Sequence, residues 1–498
     1  MNDFAAQSTV SPPAPARAST GRAFAVVTAR GARLALRGLG LAFAAATLGA
    51  CSLIPAYERP AAPVAASFPQ APAAASAAPA ADAIAWRDYF ADPRLRQLIA
   101  LALENNRDLR VAALAIERAR AQYGIQRAEL FPSIAVSGGQ NAQRAPGAFN
   151  AGGESTVSRQ YSANLGFAAY ELDFFGRVRS LEEQALQTYL GTEEARRSAQ
   201  ISLVAEVAGA WLRLGADRER LALARNTFET RQKSYELTRR SFDLGAVSAL
   251  DLEQAETLLQ GARADAARYT AQVAQDENAL ALVVGAAVPT ALLPQALGED
   301  VAAVAELPAG LPSEVLARRP DILQAERALQ AANASIGAAR AAFFPRISLT
   351  ASAGSASTAL DGLFESGSRA WSFVPQIRLP IFEAGRLQAS LDVAELQRDI
   401  QVAEYEKAIQ SAFRDVADAL AERATLAEQL DARRRLAAAA ARSFELSEAR
   451  YRGGVDSYLN LLDAQRSLYA AELELIATRL ADAGNRVALY KALGGGWQ

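Results

Sequence analysis

Phe242-Asp-Leu-Gly245-Ala-Val-Ser248-Ala-Leu250-Asp251-Leu252 recurs 209 residues later as Tyr451-Arg-Gly-Gly454-Val-Asp-Ser457-Tyr-Leu459-Asn460-Leu461. In each copy a glycine closes one helical pattern and a serine opens the next, as at a helix–turn–helix. The same offset aligns Gly176-Arg177 with Gly385-Arg386, and Gly285 with Gly494. Upstream, Arg127-Ala-Glu-Leu-Phe-Pro132-Ser-Ile134 returns as Arg340-Ala-Ala-Phe-Phe-Pro345-Arg-Ile347, at an offset of 213. Four matches in one order mark an internal duplication, and the four-residue slip falls between Pro132 and Gly176, where a loop absorbs it.

Each copy reads helix, two strands, long helix, glycine turn, helix. The runs 178–242 and 387–451 contain no proline. Unbroken, each would approach ~100 Å. The helix before Gly285 has a seam at Leu252, Ala255, Leu259, Ala262, Ala266, Tyr269, Val273, Asp276, Leu280 and Val283. The last helix has two, one through Leu459, Leu462, Arg466, Tyr469, Leu473 and Ile476, the other through Leu461, Ala464, Leu468, Ala471 and Leu475. Two flanking seams seek neighbours on both sides, as in a closed ring of helices. A soluble bundle is the alternative, and it asks for one broad stripe.

The strands alternate. Tyr161, Ala163, Leu165 and Phe167 oppose Ser162, Asn164 and Gly166, and Trp371, Phe373, Ile377 and Leu379 oppose Ser372, Gln376 and Arg378. Their shorter partners start at Pro132 and Pro345, giving hairpins over 132–174 and 345–382 with Gly/Ser/Ala-rich loops at about 138–158 and 353–369. The pattern fits a barrel wall between lipid and water, and equally a one-sided sheet packed on helices. Four strands cannot close a barrel. Either the sheet is soluble or several chains share one wall.

The 498 residues include no histidine, one cysteine (Cys51) and one methionine, with a formal charge of −2. Histidine-based catalysis, an intrachain disulfide and a Cys/His zinc site are thereby excluded. No spacing suggests a paired-acid cleft, so neither an enzyme nor a cofactor or metal is expected. Residues 1–50 carry five arginines and Asp3, leaving 47 basic and 53 acidic side chains, or −6, in the remainder. No basic stripe with interleaved aromatics points to nucleic acid. After the N-terminus no apolar run reaches the ~18 residues of a spanning helix, so any crossing must be made by strands. A basic stretch, an apolar core and Leu48-Gly49-Ala50-Cys51 describe a secretory signal over 1–50. The ending resembles a bacterial lipobox, which implies a diacylglycerol and an N-acyl chain on Cys51. Ser52 in the next position favours outer-membrane sorting. Pro55–Ala83 is rich in Ala and Pro, so 51–85 is expected to be an acylated tether that does not pack.

The run Ala449-Arg450-Tyr451-Arg452-Gly453-Gly454-Val455-Asp456-Ser457-Tyr458-Leu459-Asn460-Leu461-Leu462-Asp463-Ala464-Gln465-Arg466 closely resembles TolC/OprM/NodT-type outer membrane factors. The resemblance extends from Cys51 to the C-terminus and is nearer the OprM/NodT lipoprotein branch. It implies a mainly α protein with membrane β: a homotrimer whose 12-stranded β-barrel is continued by a periplasmic α-helical barrel. The repeats fall at 86–285 and 313–498, and 286–312 is an equatorial linker within a belt. Function follows as a passive outer-membrane duct for drugs or other small molecules in tripartite efflux, in a Gram-negative bacterium. Gly245, Ser248, Gly454 and Ser457 mark tips that dock a periplasmic membrane-fusion adaptor of an inner-membrane RND-type pump. Asp463 matches the acidic ring of the periplasmic gate and Leu459 an apolar constriction. Asn460 stands where TolC has aspartate, leaving one acidic ring where TolC has two. Tyr451 and Asp251 match a pair that hydrogen-bonds between hairpins and holds the tip closed, and Arg466 pairs with carboxylates there. The rival function is a poreless periplasmic lipoprotein adaptor or scaffold. Such adaptors usually carry one hairpin between lipoyl-like β-domains.

Overall fold

The two proline-free runs are single helices of 67 residues each, α4 (Arg177–Asp243) and α7 (Arg386–Arg452). Both begin behind a glycine in the left-handed region, Gly176 at φ 75° and Gly385 at φ 84°. The computed structural model describes residues 52–69, 84–149, 152–298 and 313–497. The signal segment, Cys51, residues 70–83 of the tether and 299–312 of the linker lie outside the described residues. In chain order come α1 (Trp86–Tyr89), α2 (Pro93–Asn105), α3 (Arg107–Ala128), β1 (Ala135–Ala145), β2 (Thr156–Leu172), α4 and α5 (Ala249–Val284). The second half supplies α6 (Pro320–Ala341), β3 (Arg346–Ser357), β4 (Arg369–Arg378), α7 and α8 (Tyr458–Ala492). Helices α3 and α6, each 22 residues long, sit at the 213-residue offset.

The sheet is antiparallel throughout, in the order β1-β2-β3-β4, so the β2–β3 pairing joins the two repeats. Directly opposed residues share a face, and the register collects the apolar ones. Val136, Leu165, Ala353 and Trp371 form one row, Phe167, Ala351 and Phe373 a second, Leu172, Ile347 and Ile377 a third. The other face carries Ser137–Asn164–Gly354, Gly166–Ser352–Ser372 and Glu171–Ser348–Gln376. A bulge between Phe167 and Tyr170 preserves this sorting. It places Ala169 at φ 55°, with its N–H donating to Thr350 Oγ1 at 3.0 Å. The extra residue returns Tyr170 and Leu172 to the apolar face, which an uninterrupted period of two would have inverted.

Two expectations need correction. Residues 138–145, 156–158 and 353–357, read as loop, are paired strand. Gly354 among them, like Gly166 on the partner strand β2, serves close backbone approach and not a turn. A Cβ on Gly166 would run into the Ala351 carbonyl, and one on Gly354 into that of Ala163. The N-terminal stretch 52–69, read as an unpacked tether, packs on the second repeat. Phe68 is buried and stacks on Phe413 at 4.8 Å. Arg59 grips Glu326 with Nε at 2.8 Å and Nη2 at 2.7 Å, while Tyr57 donates to the same carboxylate at 3.0 Å. Overall composition masked these few aromatic and charged anchors.

The main core forms where α1, α2, α4, α5 and α8 converge on Trp86, Tyr89, Trp211 and Tyr490. Tyr89 and Tyr490 stack at 3.7 Å. Trp211 Nε1 donates to the Leu292 carbonyl at 3.0 Å, fastening the described part of the linker to α4. Among the described residues no helix is long and apolar enough to cross a membrane.

Gly354→Val is expected to break the β2–β3 pairing, at a cost of roughly 3 kcal/mol or more. Gly139→Val, where a Cβ meets nothing within 4 Å, is expected to be tolerated. The yield of folded protein in the outer-membrane fraction, compared between the two variants, checks this.

Candidate functional site

The two helix–turn–helix tips have the same backbone. At the first, Gly245 at φ 72° lets Ala246 N–H reach the Ser241 carbonyl at 2.8 Å. At the second, Gly454 at φ 71° lets Val455 N–H reach the Arg450 carbonyl at 2.9 Å. This six-to-one closure satisfies the last carbonyls of a helix, and it needs a residue without a Cβ penalty.

Side chains distinguish the tips. Ser248 and Asp251 make a capping box: Asp251 N–H donates to Ser248 Oγ at 3.2 Å, and Ser248 N–H donates to Asp251 Oδ2 at 3.0 Å. Their counterparts Ser457 and Asn460 make none. The second tip is held instead by Arg450, whose Nε donates to Asp456 Oδ2 at 2.6 Å across the turn. That bond lowers the Asp456 pKa and raises that of Arg450. The first tip exposes Leu244 and Leu250, the second Val455.

Within the chain the predicted pair Tyr451 and Asp251 stand close enough that burial, then the Asp251 charge, push the Tyr451 hydroxyl up. Among the described residues the Asp251 carboxylate hydrogen-bonds to Ser248, its own helix cap. The Tyr451 ring lies 5.3 Å from that of Tyr458, in a small apolar cluster with Leu461, Leu462 and Ala255. Leu462 of one α8 seam and Leu461 of the other are engaged here. Leu459 and Arg466, read as members of the first seam, are instead exposed, with Asn460 and Asp463, on the face left over. Arg466 Nη2 pairs with Asp463 at 3.3 Å, and the Asp463 side chain is 76% accessible. Such a pair contributes little to stability. What it leaves is a polar, acid-bearing stripe that no described residue covers.

The model of the outer membrane efflux protein family matches residues 98–286 and again 311–495. The starts of the two matches lie 213 apart and their ends 209 apart, as the duplication requires. The chain belongs to the outer membrane efflux protein family. It is 54% identical over 462 residues to the probable efflux pump outer membrane protein TtgC of Pseudomonas putida, covering 92% of this chain and 95% of that protein. OprJ of Pseudomonas aeruginosa is 47% identical, covering 92% and 96%. Among solved structures, the open state of the MtrE outer membrane channel of Neisseria gonorrhoeae superposes with a TM-score of 0.81 at 43% identity, covering 90% of this chain and 99% of that one. CusC gives 0.80 at 42%, covering 90% and 100%. The protein is thus an outer-membrane channel component of an efflux system, and the poreless-adaptor alternative is set aside.

In this efflux protein two polar features above the tip went unread in the sequence. Arg231 is 8% exposed, donates to the Leu258 carbonyl at 3.0 Å and lies 5.4 Å over the Tyr469 ring. It thereby links α4, α5 and α8. Asp217 and Asp276 are buried carboxyls on adjacent helices α4 and α5. Arg220 donates to Asp217 at 2.6 Å and Gln272 to Asp276 Oδ1 at 3.1 Å. Asp276 Oδ2 has no donor from any described basic or amide group. Burial, then the Asp217 contact, push Asp276 up to about 6. The signal was present, since Asp276 occupies an apolar seam position.

The folded-state pKa of Asp276 exceeds the ordinary 3.8, so its contribution to stability is complete below about pH 4 and is lost as pH rises through about 6. Asp276→Asn is expected to flatten that component. Its thermal midpoint, relative to that of the unsubstituted protein, should rise from pH 4.5 to just above 6 and stay level from there to 7.5.

Proposed function

We propose that the protein is the passive exit duct of a tripartite efflux system, acting as a homotrimer anchored by an acylated Cys51. The carrying observation is that one protomer has two unfinished edges. Strands β1 and β4 are the outer strands of the sheet, each with one side unpaired among the described residues. Helix α3, which leads into β1, exposes Val111, Leu114 and Ile125, and α7, which leaves β4, exposes Val393, Leu396 and Ile400. Unlike edges on opposite sides favour head-to-tail contact, which closes into a ring. Three copies of four strands make a 12-stranded barrel, within the size range of transmembrane barrels. The apolar rows then face lipid, and the serine, asparagine and glycine rows line the lumen.

The helices continue the wall into the periplasm and end at the four-residue landmarks Gly245, Ser248, Gly454 and Ser457, which dock the membrane-fusion adaptor of an RND-type pump. At the tip the exposed stripe of α8 turns to the axis. Three copies of Asp463 form a ring that favours cations and resists anions, with Leu459 as an apolar collar one turn away. Asn460 adds no charge, and Arg466 offsets part of that of Asp463. The duct itself supplies no energy. The adaptor opens the tip by binding its splayed form more tightly, by about 5 kcal/mol for a decisive shift. Tyr451, Asp251 and the cluster around them oppose that splaying. Drugs and other small organic molecules are the cargo.

Planar-bilayer recording tests the reading. Tyr451→Phe combined with Asp251→Ala is expected to raise mean conductance several-fold, and Asp463→Asn to weaken block by multivalent cations about tenfold. A water-soluble monomer that forms no pore would sink the proposal.

A further inference from the structure

Three of the four strand–helix junctions of the protomer, β2–α4, α6–β3 and β4–α7, surround one cavity of about 250 Å³. Four arginines line it, Arg177, Arg346, Arg378 and Arg386, against Glu171, Asp173 and Glu383. The acids are largely committed. Glu171 accepts from Arg177 through two bonds of 2.8 Å and also pairs with Arg346. Glu383 holds Arg386 at 2.7 Å. Asp173 accepts from the backbone N–H and the side chain of Arg179. Arg378 has no carboxylate partner among the described residues, and it stands directly across the strand pair from Arg346. Like charges in that position repel unless an anion lies between them. The N-termini of α4 and α7 open toward the same space, adding the positive ends of two long helices. Phe175 and Phe344, stacked at 4.8 Å, supply an apolar wall beside the charges.

We infer that this cavity binds the head group of an amphipathic organic anion, a phosphate or carboxylate seated between Arg378 and Arg346 with its apolar portion against Phe175 and Phe344. Guanidinium forks match such oxyanions in two-point geometry, and a partly enclosed cavity strengthens the attraction. Arg346 and Arg378 lie on the polar face of the sheet, in line with Glu171, Ser348 and Gln376. That the anion arrives as cargo within the duct rests on the channel reading; that the cavity binds it does not. A retained phospholipid would present the same chemistry.

The test uses the full acylated protein in dodecyl maltoside, titrated calorimetrically with decyl phosphate. Arg378→Gln is expected to weaken binding at least tenfold, Arg378→Lys to recover part of it, and Lys407→Gln, on the exposed surface of α7, to change nothing. Decyltrimethylammonium should fail to displace the probe. Native mass spectrometry separates the two sources. Phospholipid that co-purifies with the unsubstituted protein and is lost from Arg378→Gln identifies a lipid head group as the ligand. Decyl phosphate binding without retained lipid identifies duct cargo. Equal affinity for Arg378→Gln and the unsubstituted protein, or equal displacement by the cationic amphiphile, would overturn the assignment. Because the readout is binding and not conductance, it stands or fails apart from the transport function.

Discussion

A four-stranded sheet with one apolar face and two unpaired edges cannot satisfy itself. Backbone N–H and C=O groups left open in hydrocarbon cost several kcal/mol each, so a sheet that meets lipid must close. The other distinctive features follow from that constraint. The duplication supplies two hairpins, and the β2–β3 pairing joins them through glycines that let the backbones approach. The bulge at Ala169 keeps each apolar residue on one side across the junction. The strap over 52–69 then clasps the second repeat through Glu326, so the segment that follows Cys51 is fixed to the body of the protein.

Periodicity made much of this legible. Glycine pairs at a fixed offset located both tips, and the absence of proline gave the 67-residue helices nearly to the residue. A helix that long is stabilised along its whole length by packing, so its pattern persists and its ends carry clear punctuation. Strand length was harder to read. Gly138, Gly139 and Gly354 look like turn residues in isolation, because glycine is used both for tight turns and for close contact between strands. Only the partner strand reveals which use applies. The strap failed for a related reason: composition averaged over 55–83 hides Tyr57, Arg59 and Phe68, whose partners Glu326 and Phe413 lie hundreds of residues away.

The site divides along the same line. Motif resemblance singled out Asp463, Leu459 and Tyr451, and the structure leaves the first two exposed and gathers the third into an apolar cluster. The long-range polar features had no local signature. Asp217 and Arg231 sit within a 67-residue helix that is polar on several faces, and nothing nearby separates a solvated charge from a buried one. Asp276 alone was visible, as a charge interrupting an apolar seam.

The distribution of polar contacts along α4, α5 and α8 bears on how a passive duct opens at one end only. Near the belt, Arg479 bonds both Glu219 and the Leu297 carbonyl, and Trp211 and Arg218 bond the Leu292 and Pro294 carbonyls. These contacts involve three segments and are partly shielded from water. Toward the tip the ties are fewer: Arg231 over Tyr469, the Tyr469 hydroxyl donating to Asp265 at 3.1 Å, and then the cluster around Tyr451 and Leu462. The final ties, Arg450–Asp456 in the second hairpin and the Ser248–Asp251 cap in the first, each stay within their own hairpin. Resistance to separation of the hairpins therefore falls steadily from belt to tip. On the proposed reading, a modest binding energy applied at the tip would bend the helices where they are least joined and leave the contacts around Trp211 and Arg479 in place.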